Sequence, residues 1–176
     1  MSTILPYPGG KHYGVKTLLP LVPPNVKVMS PFAGGCSLEL AIADPLNNRS
    51  FIYHDVRVQA YDIFEPLLKV DYGDFTDTIP NHPDEFLYCD PPYALSLEVA
   101  RKRKEDDLYG MAGSLHRDFD HAALRDLLVD REGWLLSYND CKEVRQWYEG
   151  CWIEERTWRH SIDSGAKMGK ELVIRP

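Results

Sequence analysis

Asp90-Pro91-Pro92-Tyr93 is the segment whose residue types point most directly to chemistry. A Pro-Pro step can neither continue a central strand nor donate to its ladder, so the apolar run Glu85 to Cys89 must end here. The prolines also remove backbone donors and hold the chain extended. What remains is a rigid edge of acceptors, the Asp90 carboxylate and the Pro91 carbonyl. An aromatic amine offers two N–H donors and a lone pair drained into its ring. Accepting both hydrogens from one side favours a pyramidal nitrogen and frees the lone pair for an incoming group. Tyr93 would stack on the planar ring, a contact worth about 1–3 kcal/mol for a base. Taken alone, the four residues fit equally well a turn in which Asp90 merely caps a loop. Their place directly after Phe86-Leu87-Tyr88 favours the chemical role.

Three weaker features share that kind of placement. Phe32-Ala33-Gly34-Gly35 follows an apolar strand candidate, and small residues at a strand-to-helix turn let a ligand approach the backbone. A tight structural turn explains the segment as well. It is not the GxGxxG fingerprint, which disfavours a dinucleotide. Asp55 closes the next strand candidate, where a carboxylate suits a ribose diol, although strand-terminal aspartates are common. Tyr7-Pro8-Gly9-Gly10-Lys11 precedes the first strand: Lys11 could meet a ligand carboxylate, or the segment could be a solvated loop.

The elements that must position these residues alternate between strand-like and helix-like patterns, which predicts an α/β sheet. Strands are expected at Val26 to Met29, Phe51 to Tyr53, Val70 to Asp71, Glu85 to Cys89, Trp134 to Ser137, Trp152 to Trp158 and Glu171 to Ile174. Helices are expected from about Ser37 to Ala43, Val58 to Lys69, Asp120 to Asp130 and Lys142 to Tyr148. Together they predict a doubly wound, mostly parallel seven-stranded sheet with a C-terminal antiparallel hairpin. In such sheets ligands bind beyond the carboxyl ends of the strands, which is where Phe32 to Gly35, Asp55 and Asp90 to Tyr93 fall.

The 176 residues suit one domain, residues 1–176, with a single sizeable core. Apolar runs such as Leu18 to Val22 are too short to span a membrane, and no secretory signal opens the chain. Cys36, Cys89, Cys141 and Cys151 lie far apart with no CxxC, and no histidine stands in a metal-ligand spacing. A reduced, intracellular and cytoplasmic protein without a structural metal is expected. Ser137 lacks the GxSxG setting of a hydrolase nucleophile. The net charge of −7 opposes nucleic-acid binding overall, yet a local patch can outvote it. Arg101-Lys102-Arg103-Lys104 is one such candidate, and equally a solvated helix face; Arg156, Arg159, Lys167 and Lys170 form another.

In their order these motifs resemble the Dam-like DNA adenine-N6 methyltransferases. The resemblance covers nearly the whole chain. It runs through Pro8-Gly9-Gly10-Lys11, Pro31-Phe32-Ala33-Gly34-Gly35, His54-Asp55, Gly73-Asp74-Phe75, Asp90-Pro91-Pro92-Tyr93, Leu136-Ser137-Tyr138-Asn139 and Glu171-Leu172-Val173-Ile174. It implies a Rossmann-like methyltransferase fold, S-adenosylmethionine as donor and S-adenosylhomocysteine as product. Tyr7, Lys11, Phe32, Ala33, Gly34, Gly35, Asp55, Asp74, Phe75 and Asp90 would then line the cofactor pocket, and a flipped-out adenine in DNA would be the acceptor. Catalysis would fall to Asp90, Pro91, Pro92 and Tyr93, and DNA contact to Arg101, Lys102, Arg103 and Lys104. Two departures stand out. Ser30 replaces the acidic residue the family usually carries before Pro-Phe, and only Thr76 to Cys89 separates Phe75 from Asp90, where members usually insert a target-recognition domain. Loose specificity, or a protein partner or second copy that completes recognition, is implied. The same fold acting on RNA or cytosine N4, and an inactive DNA- or partner-binding relative, are the alternatives.

Overall fold

The computed structural model describes residues 11, 13–32, 34, 36–42, 51–54, 69–71, 73–94, 116, 118–159 and 168–176, with the backbone alone for 51–54, 69–71 and 159. Seven strands pair into one sheet: β1 (Val28–Ser30), β2 (Phe51–His54), β3 (Lys69–Asp71), β4 (Phe86–Cys89), β5 (Trp134–Asn139), β6 (Trp152–Arg159) and β7 (Met168–Arg175). Their spatial order is β3-β2-β1-β4-β5-β7-β6. The five strands from β3 to β5 pair in parallel. β7 lies antiparallel to both β5 and β6, so the sheet is mixed. The order reverses between β1 and β4, and this is the switch point at which open α/β sheets leave a crevice for ligands.

Side chains alternate across the sheet, and each face carries its own core. Val28, Tyr88, Leu135 and Val173 face one side, under Leu18 of α1 (Val15–Leu18) and Leu38 and Ile42 of α2 (Ser37–Ile42). Met29, Leu87, Cys89, Leu136, Leu172 and Ile174 face the other. That side is covered by Phe75 of α3 (Phe75–Thr78), Leu124 and Leu128 of α4 (His121–Val129) and Val144 of α5 (Lys142–Trp147). Burial on both faces explains why the central strands read as continuous apolar runs rather than as alternation.

The expected strands and the helices near Ser37, Asp120 and Lys142 all form, with ends shifted by a few residues. Lys69, placed at the end of a helix by the sequence pattern, belongs to β3; the rest of that expected helix lies outside the described residues. The sequence pattern does not anticipate α1, the 3-10 turn Leu19–Leu21 or α3. All three are too short to show a helical period. α3 is instead started by a cap: Asp74 Oδ1 accepts from Thr76 N at 2.9 Å and from Thr76 Oγ1 at 2.6 Å. Among the described residues no helix is long and apolar enough to cross a membrane.

Candidate active site

The carboxyl end of β4 delivers Asp90, Pro91, Pro92 and Tyr93 to the switch point beside the end of β1. Since Pro91 and Pro92 offer no N–H, the segment is fastened by its side chains and carbonyls. His116 Nδ1 meets the Tyr93 carbonyl at 3.2 Å, and Asn139 Nδ2 donates to the Ala94 carbonyl at 2.9 Å. Asp90 is gripped on a single oxygen. Lys11 Nζ donates to Oδ1 at 2.7 Å and Ser137 Oγ to the same atom at 2.9 Å. Lys11 Nζ also donates to Tyr93 Oη at 3.0 Å and lies 5.2 Å from that ring's centroid.

Lys11 is only 4% exposed, and its ammonium lies between two carboxylates, with Glu171 Oε2 at 3.4 Å. Burial alone would strip its proton; Asp90 and Glu171 outweigh that and hold the ammonium charged. Burial pushes the Asp90 carboxyl up and Glu171 adds to the rise, while Lys11 and Ser137 pull it down. The balance lies above the ordinary carboxylate range. The sequence allows Lys11 to meet a cofactor carboxylate; in the structure it joins the N-terminal segment to Asp90, Tyr93 and Glu171.

A second carboxylate sits on the β1 side. Glu39, in the first turn of α2, is 3% exposed and accepts from Ser30 Oγ at 3.0 Å. Burial pushes its carboxyl up to about 8, with Ser30 opposing. Ser30 Oγ also lies 3.3 Å from the Phe32 carbonyl, so its single proton is shared between that carbonyl and the Glu39 carboxyl. The turn between β1 and α2 is bent sharply, with φ 48° at Gly34 and φ 52° at Cys36. A cysteine in the left-handed region costs roughly 1–2 kcal/mol, and strain of this kind concentrates where backbone must fit a ligand.

Beside that turn three rings form a triangle. Phe32 and Phe75 lie 5.6 Å apart between centroids, Phe32 and Phe119 5.5 Å, and Phe75 and Phe119 5.1 Å. His121 continues the aromatic wall: its Nδ1 is hydrogen-bonded to Tyr138 Oη, and its ring stacks on Trp147 at 5.5 Å. Tyr138 lies 6.4 Å from Tyr93.

The structure therefore brings Lys11, Phe32, Gly34, Phe75 and Asp90 to Tyr93 to one region, with Asp74 capping α3 at its margin. Tyr7, Ala33, Gly35, Asp55 and Arg101 to Lys104 lie outside the described residues. In the second basic patch, Arg156 is paired with Glu154, which offsets its charge. Sequence reasoning missed Glu39, Glu171, Trp158 and Phe119. Phe119 carried one readable signal, as an apolar residue just before the α4 cap Asp120, the position of a hydrophobic staple. The two glutamates carried none, because an acid inside an apolar run looks like a solvent-facing residue. Among the described residues no group of three or more His, Cys, Asp or Glu could hold a metal ion.

Residues 62–162, more than half of the chain, match the family model described as D12 class N6 adenine-specific DNA methyltransferase. No curated protein matches the sequence. Several solved structures share the fold at low identity. One is a putative RNA methyltransferase from Pyrococcus horikoshii, with TM-score 0.57, 13% identity, and 91% of this chain and 78% of that one covered. Another is TrmN from Thermus thermophilus, with TM-score 0.55, 16% identity, and 92% and 47% covered. A third is an uncharacterized protein from Listeria monocytogenes serotype 4b, with TM-score 0.55, 13% identity, and 93% and 66% covered. The chain thus spans about two thirds and about half of the Listeria and Thermus chains.

Proposed function

Because the chain belongs to the D12 class N6 adenine-specific DNA methyltransferase family, we propose that it methylates the N6 amine of adenine in DNA from S-adenosylmethionine. The observation that carries this reading is the double grip of Lys11 and Ser137 on Asp90 Oδ1, beyond the end of β4 at the switch point. With Oδ1 so engaged, Oδ2 is the oxygen that turns to the acceptor amine.

The residues present fit the cofactor. The left-handed turn at Gly34 and Cys36 lets a ligand approach the backbone after β1. Phe32, Phe75 and Phe119 supply apolar rings for an adenine. Asp90 and Glu171 share the single ammonium of Lys11, a field that favours a cationic donor. Phe32, Gly34, Asp74 and Phe75, together with Lys11, Asp90, Tyr7, Ala33, Gly35 and Asp55, would hold S-adenosylmethionine. When bound, the cofactor supplies an activated methyl group.

The chain's own residues prepare the acceptor. An adenine within a duplex cannot reach this crevice, so the base is flipped out, at a cost of a few kcal/mol. Tyr93 stacks on its face. Asp90 Oδ2 and the Pro91 carbonyl accept the two amine hydrogens and direct the nitrogen lone pair to the methyl group. The proton displaced from the amine is held against Asp90 Oδ2 on its way to solvent. Asp90 acts as a hydrogen-bond acceptor rather than a strong base.

Between Phe75 and Asp90 the chain holds only α3, the connection 79–85 and β4. Target recognition therefore rests on Ala94 to Arg117, where Arg101 to Lys104 would meet phosphates, on the Arg156 to Lys170 region, or on a partner. Transfer of labelled methyl from S-adenosylmethionine to unmethylated DNA at low salt tests the proposal. Activity that Asp90→Ala abolishes supports it, whereas no transfer to any DNA contradicts it.

A further inference from the structure

Glu171 has no part in the chemistry just described, yet it is the most enclosed carboxylate of the site, at 1% exposure. It stands on β7 opposite Asn139 of β5, and Trp158 Nε1 of β6 donates to its Oε1 at 3.1 Å. Its Oε2 faces Lys11 Nζ at 3.4 Å. A buried ion costs several kcal/mol to desolvate, and a well-packed apolar residue is often as stable in its place. Stability alone therefore gives little reason for an acid here. The geometry gives one: the Lys11 ammonium is anchored from behind by Glu171 while it reaches Asp90 and Tyr93 in front. The lysine stem is flexible and loses rotamer freedom when ordered, so two anchors fix where its charge sits.

We propose that Glu171 is a positioning residue: through Lys11 it sets the orientation and proton affinity of the Asp90 carboxylate, and Trp158 holds Glu171 in place for that purpose. The proposal rests on the reading of Asp90 as the acceptor of the amine hydrogens. Among the described residues Asp90 is faced by Lys11, by Ser137 of β5, by Glu39 of α2, by Tyr88 and Cys89 of β4, and by Glu171 of β7. Glu171 and Lys11 act on it with opposite sign. Removing the Glu171 charge makes Asp90 titrate lower, and removing the Lys11 charge makes it titrate higher.

Carbon-13 NMR of aspartate-labelled full chain reads this directly, with the Asp90 carboxyl signal identified by its loss in Asp90→Asn. Glu171→Gln is expected to lower the Asp90 midpoint by on the order of one pH unit, and Lys11→Met to raise it by a similar amount. The acid limb of the kcat/KM profile of Glu171→Gln is expected to move down with it. Should Glu171→Gln not fold, Trp158→Phe, which removes the donor to Glu171 Oε1, decides: an unmoved Asp90 midpoint in it overturns the role given to Glu171. Unmoved midpoints in an enzyme that transfers methyl groups would overturn the network. Moved midpoints in the variants, with a wild type that methylates no nucleic acid, would overturn the functional reading, and with it the catalytic purpose of Glu171.

Discussion

Ser137 Oγ donates to Asp90 Oδ1 at 2.9 Å, joining the middle of β5 to the residue that follows β4. Strand pairing places them side by side, since Cys89 lies opposite Leu136 in the parallel register. Ser137 is fully buried, so its hydroxyl has this carboxylate as the natural use of its proton. Ser137→Ala is expected to cost about 1 kcal/mol in stability. Methyl transfer is expected to fall by about tenfold, the equivalent of 1.4 kcal/mol. Denaturant melts and single-turnover kinetics on the same preparation check both; an unchanged rate would show that the grip on Oδ1 does not matter.

Glu39 makes stability depend on pH. Its carboxyl is pushed up to about 8 by burial, so the folded chain keeps a proton that the unfolded chain releases near the ordinary value of 4.5. Its contribution to stability is complete below that ordinary value and is lost as pH rises through about 8. Urea midpoints should therefore decline from about pH 4.5 to about pH 8 in the wild type and level off above it, and decline less steeply in Glu39→Gln. Parallel curves for the two proteins would rule out a buried, proton-holding Glu39.

Phe119 joins the wall formed by Phe32 and Phe75. Ring contacts of this kind contribute about 0.5–1.5 kcal/mol beyond burial. Phe119→Leu keeps apolar volume and removes the ring. Its own melting temperature is expected to change little, while the rise produced by S-adenosylmethionine shrinks, because a ligand stabilises in proportion to its affinity for the native state. An undiminished rise would place the cofactor's ring elsewhere.

Much of the fold was legible because parallel strands buried on both faces leave apolar runs, such as Trp134 to Leu136 and Phe86 to Cys89, the latter ended by prolines that cannot continue a strand. The reversal of β7 follows from the terminal hairpin, whereas α1 and α3 escape because one turn of helix has no period to detect. At the site, Asp90 to Tyr93 was legible since prolines and an acid in that order have few structural uses. Glu39 and Glu171 were not, because their meaning depends on Ser30, Lys11 and Trp158, which pairing and packing bring to them. Gly14 is similar: a side chain there would approach the Trp158 ring at 3.3 Å, a closeness no local pattern announces.

Arg101-Lys102-Arg103-Lys104 is the strongest basic run in a chain of net charge −7. If these residues meet phosphates, replacing all four with glutamine weakens DNA binding for every sequence alike. The slope of log affinity against log salt then falls by about 0.9 for each phosphate that is no longer neutralised. Equal slopes for wild type and variant, measured by fluorescence anisotropy, would return the run to a solvated surface.

Everything proposed for Asp90 turns on whether the amine it grips belongs to adenine in DNA. Unmethylated DNA and RNA of matched sequence can be incubated separately with the chain and S-adenosylmethionine, digested to nucleosides and resolved by mass spectrometry. N6-methyldeoxyadenosine is expected from the DNA, and none with Asp90→Ala. Methylated cytosine, or methylation confined to the RNA, would contradict the assignment.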